Sequence, residues 1–241
     1  MSFGLRVLNE AGLIVAGSDL ANLFFSRKGT LAIGTGGAVE PAHSDKSVVF
    51  YISPLPMVRM GGRLYLASMG SYNQGWWSGQ ATASGTVEYF VFSPPPAVNT
   101  EPFGINVFDE NGNATFNNGG PALKILTVAS YSGDNYQLAG DTRVYIPFTV
   151  SAGLSGVTGK LAFALGGTRV YWTSAQLASG NNFFTDTYRT ARGVHLDTSL
   201  NMRTSTIQTG FTRYPGRQGN FNYSPNGSMP VTMIVADVSN L

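Results

Sequence analysis

The sequence predicts an all-β protein built from two tandem, related antiparallel β-sandwich modules with little helix. Three observations lead to this prediction: short alternating apolar runs divided by Gly, Pro and Asn, a decapeptide that recurs 100 residues further on, and a proline-rich segment between the two copies. Period-two runs bounded by turn residues are typical of antiparallel strands. Only residues 18–25 and 173–178 could form a helical turn or two, because glycines interrupt any longer helical period.

The repeated decapeptide is the strongest evidence for a duplicated module. Phe-Gly-Leu-Arg-Val-Leu-Asn-Glu-Ala-Gly at residues 3–12 returns as Phe-Gly-Ile-Asn-Val-Phe-Asp-Glu-Asn-Gly at residues 103–112, with five identical positions. Each copy predicts a strand that runs into a glycine turn, and the Asn-Gly pair at the end of the second copy is a hairpin signal. A hairpin is favoured over a calcium loop there, because the glycine that such a loop needs at its sixth position is absent.

The ends of the two halves also correspond. Residues 85–92 and 230–237 are both β-rich closing runs, and the prolines near residue 95 favour an extended spacer. We therefore predict a first module over residues 1–93, a linker over 94–102 and a second module over 103–241. Between the ends, residues 48–52 and 63–67 resemble residues 143–150 and 160–165.

The second half is longer than the first by about 40 residues, and the excess is placed at about 180–227. Strand periodicity fades in this range, which is rich in Asn, Thr, Arg, Tyr and Phe. Long segments without regular structure are unusual inside a compact domain and are commonly functional or disordered. The sequence therefore predicts an extended arm that a neighbouring molecule orders.

Composition narrows the classes of function. Charged residues make up 12% of the chain and the net charge is +2, without a Lys/Arg block, which disfavours a nucleic-acid binder. The absence of cysteine excludes disulfides, a thiolate nucleophile and cysteine-ligated metals. The first residues alternate at once instead of forming a signal sequence, and no apolar run is long enough to span a bilayer, so we expect synthesis and folding in a cytoplasm and no membrane anchor.

No catalytic constellation stands out. His43 and His195 are 152 residues apart and neither has metal-ligand spacing, and there is no Gly-x-Ser-x-Gly elbow. Thirteen acidic residues could nominally supply a glycosidase pair, but no two are marked out. We predict no catalytic residue, metal or cofactor, and a glycan-degrading enzyme stays open as a third class.

Two groups of residues are candidates for a partner interface. Trp76 and Trp77 are adjacent, and neighbouring strand residues point to opposite faces, so one indole is expected to meet something other than the core. The second group lies in the predicted arm, where five arginines face one acidic residue between positions 188 and 217 and are interleaved with aromatic rings. Arginine and tyrosine together favour protein interfaces, against the alternative of a solvated basic loop. Its selected members are Arg189, Arg192, Tyr214 and Arg217.

The opening motif resembles the start of small tail-tip and minor tail proteins of long-tailed bacteriophages. Those proteins commonly open with Phe-Gly-Leu-x-Val-Phe-(Asn/Asp)-x-x-Gly, and here the match covers residues 3–12 and again residues 103–112. The resemblance implies a non-enzymatic virion component of the tail tip or tail-fibre region, assembled in the host cytoplasm. It implies neighbouring tail proteins as partners, with the chain present in several copies or as a homo-oligomer, and it carries no catalytic residues.

Two functional hypotheses follow from the residues and the resemblance together. The first is a structural tail protein whose modules dock on neighbouring subunits. The alternative is a carbohydrate-binding or receptor-binding module of the host-attachment apparatus, which would use Trp76, Trp77 and nearby tyrosines.

Overall fold

The structure, a computed structural model, describes most of the chain, and every described element is a β-strand. The described residues are 6–8, 14–17, 22–68, 77–78, 82–95, 105–117, 120–132, 136–139, 142–145, 148–167, 170–179, 182–216, 222–223 and 230–241. The predicted all-β class is therefore confirmed for this part of the chain. Of the predicted linker over 94–102, residues 96–102 lie outside the described residues.

The described strands number 22. They are β1 (Arg6–Leu8), β2 (Ile14–Gly17), β3 (Phe24–Ile33), β4 (Ala38–Val39), β5 (Val48–Ile52), β6 (Met57–Met60), β7 (Arg63–Ala67), β8 (Trp77–Ser78), β9 (Thr82–Ala83), β10 (Gly85–Ser93), β11 (Asn106–Phe108), β12 (Ala114–Asn117), β13 (Lys124–Tyr131), β14 (Tyr136–Ala139), β15 (Thr142–Tyr145), β16 (Phe148–Ser151), β17 (Leu161–Gly167), β18 (Val170–Ser179), β19 (Asn182–Leu196), β20 (Asn201–Pro215), β21 (Asn222–Tyr223) and β22 (Val231–Asp237).

A six-stranded antiparallel sheet forms the centre of the fold. Its order is β13-β22-β17-β5-β10-β3, so the first predicted module contributes β5, β10 and β3 and the second contributes β13, β22 and β17. The two sets meet where Phe163 of β17 pairs with Tyr51 of β5. The predicted modules therefore share one sheet instead of each closing a separate one.

The two sets of three strands have the same internal order, as a duplication predicts. In each set the closing strand of the module, β10 or β22, lies in the middle, and the first long strand of that half, β3 or β13, lies at the edge. The chain that enters β13 also contacts the start of β3 at the opposite edge of the sheet, where Leu123 N donates to Leu23 O at 2.7 Å and joins two residues 100 positions apart. In this strand order β5 (residues 48–52) of the first half is equivalent to β17 (Leu161–Gly167) of the second half. The match of residues 48–52 to residues 143–150 that the sequence predicts is therefore wrong.

The second large sheet packs on one face of the first. Its main path is β16-β20-β19-β6-β7-β4, and β9, β18 and β21 pair off that path. The main core lies between the two sheets and takes apolar side chains from both halves of the chain, among them Ile33, Tyr51, Leu64, Phe163 and Met233. On its other face the six-stranded sheet buries the rings of Phe50, Phe90 and Phe92 at the centre of a smaller cluster, in which Phe50 and Phe92 meet edge to face.

The expectation of an irregular arm at about 180–227 is corrected by the structure. Most of this range forms β19 and β20, two 15-residue strands that pair with each other along nearly their whole length. Residues 191–195 are all buried, so both faces of β19 are covered there. A strand covered on both faces has no polar face, and the period-two pattern that identifies a half-exposed strand is lost.

The possible helical turn at residues 173–178 is also corrected. These residues belong to β18, which pairs with β19 from Val170 to Ser179. Cross-strand pairing satisfies the backbone groups of this segment, and this tertiary contact outweighs a weak local helical tendency. Of residues 18–25, the structure describes 22–25, where Phe24 and Phe25 begin β3.

Candidate functional site

Both copies of the repeated motif fold as β-hairpins with the same register. Val7 pairs with Ala16 and Val107 with Phe116, and both hairpins have their register shift at the next residue. Every pair of the first hairpin is reproduced 100 residues later in the second. The duplicated sequence therefore encodes a duplicated structural element.

The turn of the second hairpin, which we call the motif hairpin (residues 105–117), is closed by one carboxylate. Asp109 Oδ1 accepts hydrogen bonds from the backbone N–H groups of Asn111 at 2.9 Å and Asn113 at 2.8 Å. These bonds, with a further one from the Asn113 side chain as the largest contributor, hold the pKa of Asp109 below its usual value. Gly112 adopts a φ of +80° in the same turn, a conformation that favours glycine. The hairpin prediction is confirmed.

The motif hairpin presents apolar side chains to solvent. Val107 is buried, whereas Phe108 is 44% exposed and Ile105 is 61% exposed. The hairpin is anchored from the other side, because the ring of Phe116 meets that of Phe24 edge to face, with 5.7 Å between their centroids. The buried hydroxyl of Thr115 adds a hydrogen bond to Val107 O at 3.1 Å. Exposed apolar groups on a fixed strand can be desolvated by a partner without a cost in backbone order.

Of the six predicted interface residues, the structure describes the side chains of two, Arg192 and Tyr214. Trp76 and Arg217 lie outside the described residues. Trp77 is described by its backbone, in β8, which pairs in parallel with β15, while Arg189 lies in β19 of the nine-stranded sheet. Tyr214, near the end of β20, is exposed as an interface residue must be.

Arg192 is placed in the interior, which corrects its prediction as a surface contact. Its side chain is 2% exposed, and its guanidinium lies 5.3 Å from the centroid of the Tyr131 ring. Arginine stacks well on aromatic faces, and this cation–π contact stabilises a guanidinium that burial has removed from water. The arginines of this range therefore do not share one exposed surface, since Arg203 is exposed whereas Arg192 is buried.

His195 is a second buried polar residue of β19. It is 3% exposed and its Nδ1 has no hydrogen-bond partner in the structure. Burial lowers its pKa to about 4, with Arg203 adding to the effect and Asp197 opposing it. The imidazole is therefore neutral at pH 7, where it behaves as a polar core residue.

A partly buried polar cluster that the sequence did not reveal lies where the two halves meet. Tyr51 Oη donates to Glu40 Oε1 at 2.6 Å, and Arg59 forms an ion pair with the same oxygen. The Arg59 Nη1 also reaches Leu165 O, in the second half of the chain, at 3.5 Å. Burial and the Glu40 carboxylate raise the pKa of Tyr51. Residues 40, 51 and 59 carry no spacing that would identify them as a cluster.

Within the described part of the chain, no group of three or more His, Asp or Glu side chains could hold a metal ion. Among those residues there is also no helix long and apolar enough to cross a membrane.

Comparison of the chain with protein-family models, curated proteins and solved structures found no match in any of the three.

Proposed function

We propose that this chain is a non-enzymatic structural protein of a bacteriophage tail, in the tail-tip or tail-fibre region, that docks on neighbouring tail subunits. The observation that carries the proposal is the exposure of Phe108 and Ile105 on the motif hairpin. The segment whose sequence resembles tail proteins thus carries two exposed apolar side chains, of which Phe108 is the candidate anchor for a partner.

The energetics of such a contact are favourable. Burial of apolar surface contributes about 25 cal/mol per Å², and aromatic side chains are among the usual anchors of protein interfaces. The hydrogen bonds to Asp109 fix the turn in advance, so docking loses little conformational entropy. The charged content of 12% also makes a large apolar contact easier to form than it is on a highly charged surface.

The proposal is tested with affinity-tagged variants produced in host cells that assemble the tailed particles. Phe108→Asp should abolish co-sedimentation of the tagged chain with the particles, because a carboxylate would have to be buried in the contact. Asn106→Asp is the matched control, since Asn106 is exposed and stands two residues away on the same strand. It should leave co-sedimentation unchanged.

Two results would count against the proposal. One is the absence of the wild-type chain from purified particles, and the other is equal incorporation of the Phe108→Asp variant. Binding of the purified protein to a glycan array that is lost when Trp76 and Trp77 are replaced by Ala would instead favour the receptor-binding alternative.

A further inference from the structure

The two edges of the six-stranded sheet meet at the starts of their strands. Phe24 forms an isolated antiparallel bridge with Ala122, which places Leu23 opposite Leu123. Both leucines pack against the smaller cluster on this face of the sheet, so the sheet curls around that cluster. We call it the inner cluster, and its buried members are Phe50, Phe90, Phe92, Ala162, Ala164, Ala236 and Val238.

A β-bulge in each edge strand shows which residues of the two halves are equivalent. In β3 the extra residue is Ser26, since the residues on either side of it pair with consecutive residues of β10. In β13 the extra residue is Leu126, 100 positions later, opposite β22. A bulge disturbs a ladder at one defined place, so a shared bulge gives the register between two related strands. Leu23 and Leu123, which lie opposite each other, are therefore equivalent.

The ladders extend this equivalence to the strands where the halves meet. The residues just before the two bulges pair with Phe92 of β10 and Ala236 of β22, so Phe92 and Ala236 are equivalent. Two residues earlier, each closing strand pairs with the next strand of its half, through Phe50 of β5 in the first half and Ala164 of β17 in the second. Phe50 is therefore equivalent to Ala164.

Phe50 and Ala164 also lie opposite each other at the seam between the halves. The strands β5 and β17 are antiparallel and Tyr51 pairs with Phe163, so the next position of each strand places Phe50 opposite Ala164. Equivalent residues thus face each other at both places where the sheet joins the halves. This is the arrangement that an approximate twofold rotation between the halves produces. The six strands of one chain are therefore arranged as in a symmetric dimer of three-stranded units.

The two halves fill the inner cluster unequally. Phe50 and Phe92 of the first half correspond to Ala164 and Ala236 of the second, and all four side chains are at most 3% exposed. The rings of Phe50 and Phe92 meet edge to face, with 5.5 Å between their centroids. Large side chains of one half thus occupy the space that small side chains of the other leave. A close-packed core needs such pairing of large with small residues, because it has room for neither a clash nor a void.

We infer that these positions make the two halves mutually specific, so that the seam surface of each half fits the other half and not a second copy of itself. In a pairing of two first halves, Phe50 would face Phe50 on the twofold axis and overpack the inner cluster. In a pairing of two second halves, Ala164 would face Ala164 and leave a cavity. Copies of the chain that meet at high concentration are thereby kept from joining through like halves. This specificity does not depend on the proposed function.

Three full-length variants reproduce these pairings inside one chain, and chemical denaturation measures the equilibrium constant for unfolding of each. Ala164→Phe imitates two first halves, and Phe50→Ala imitates two second halves. Each should raise the unfolding constant by about 10-fold or more. The exchange variant, which carries Phe50→Ala and Ala164→Phe together, restores one large and one small side chain at the seam. It should be more stable than either single variant, because the two changes compensate each other.

The control combines Phe50→Ala with Ala191→Phe, since Ala191 is fully buried in a different cluster. In the control no stability should be recovered. An Ala164→Phe variant as stable as the wild type would overturn the inference, and so would an exchange variant that is no more stable than the single ones. If Ala164→Phe does not fold, recovery of a folded protein in the exchange variant supports the inference, and failure of the exchange variant to fold contradicts it.

Discussion

At the scale of single residues, His195 makes the stability of the fold dependent on pH. Its folded-state pKa of about 4 lies below the usual 6.5, so the unfolded chain binds a proton that the folded chain does not. The free energy of unfolding should therefore fall as the pH drops from about 6.5 to about 4 and lose no more from this group below that. From the shift, the loss is at most about 3 kcal/mol.

His195→Gln should remove this part of the pH dependence, because the amide does not titrate. The measurement is denaturant unfolding of the wild type and the variant at a series of pH values between 4 and 7. His43→Gln is the control, since His43 is exposed. Identical pH profiles for His195→Gln and the wild type would show that another group is responsible.

The carboxylate of Glu40 is expected to matter more than that of Glu88, although each forms one ion pair. Glu40 is largely buried and serves both Tyr51 and Arg59, whereas the pair between Glu88 and Lys160 is about half exposed on both sides. Glu40→Ala should lower the free energy of unfolding by about 2 kcal/mol, since it leaves a buried hydroxyl and a partly buried cation without their acceptor.

Glu88→Ala should cost less than about 1 kcal/mol, as exposed ion pairs generally do. Chemical denaturation of both variants gives the comparison directly. Equal losses would mean that the cluster at the seam contributes no more than a surface pair.

At the scale of elements, Gly193 determines how closely β19 approaches β6. A Cβ added at this position would lie 2.8 Å from Met57 O and 2.6 Å from a methyl group of Val58. The neighbouring residue, Val194, pairs with Met57, and this pair joins the long hairpin to the first half of the chain.

Gly193→Ala should therefore destabilise the protein by about 1–3 kcal/mol, because a backbone atom blocks the new methyl group. Gly34→Ala is the control, since nothing lies within 4 Å of a Cβ there, and it should change stability by less than about 0.5 kcal/mol. Thermal melts of the two variants test the difference, and a Gly193→Ala protein as stable as the wild type would refute the packing argument.

Some of the strands could be predicted from the sequence and others could not. The motif hairpins were predictable because a repeated decapeptide with a glycine turn specifies local structure and needs no distant partner. The strands β19 and β20 were not, since their buried positions include Arg192, His195 and Thr204, which a search for alternating apolar residues passes over. Pairing of β5 with β17 joins residues more than 100 positions apart, and no local pattern encodes it.

The candidate site could be predicted only in part, because a local motif does not determine which side chains stay exposed. The repeated motif identified the segment that bears Phe108, but exposure depends on which face the rest of the fold covers.

At the scale of the whole molecule, the shared sheet and shared core imply one cooperative unit. The main core combines Ile33, Tyr51 and Leu64 of the first half with Phe163 and Met233 of the second. Unfolding of either half would expose this core, so we expect a single calorimetric transition whose van't Hoff and calorimetric enthalpies agree. Two separated transitions would support independent domains with the boundary at 94–102 instead.

The central claim is that this chain is a structural component of a phage tail and docks through the motif hairpin. A density map of the intact tail tests it most directly. We expect density that the described strands fit, with Phe108 buried against a neighbouring subunit. A complete tail map in which other chains account for all the density, or one in which Phe108 faces solvent, would contradict the claim.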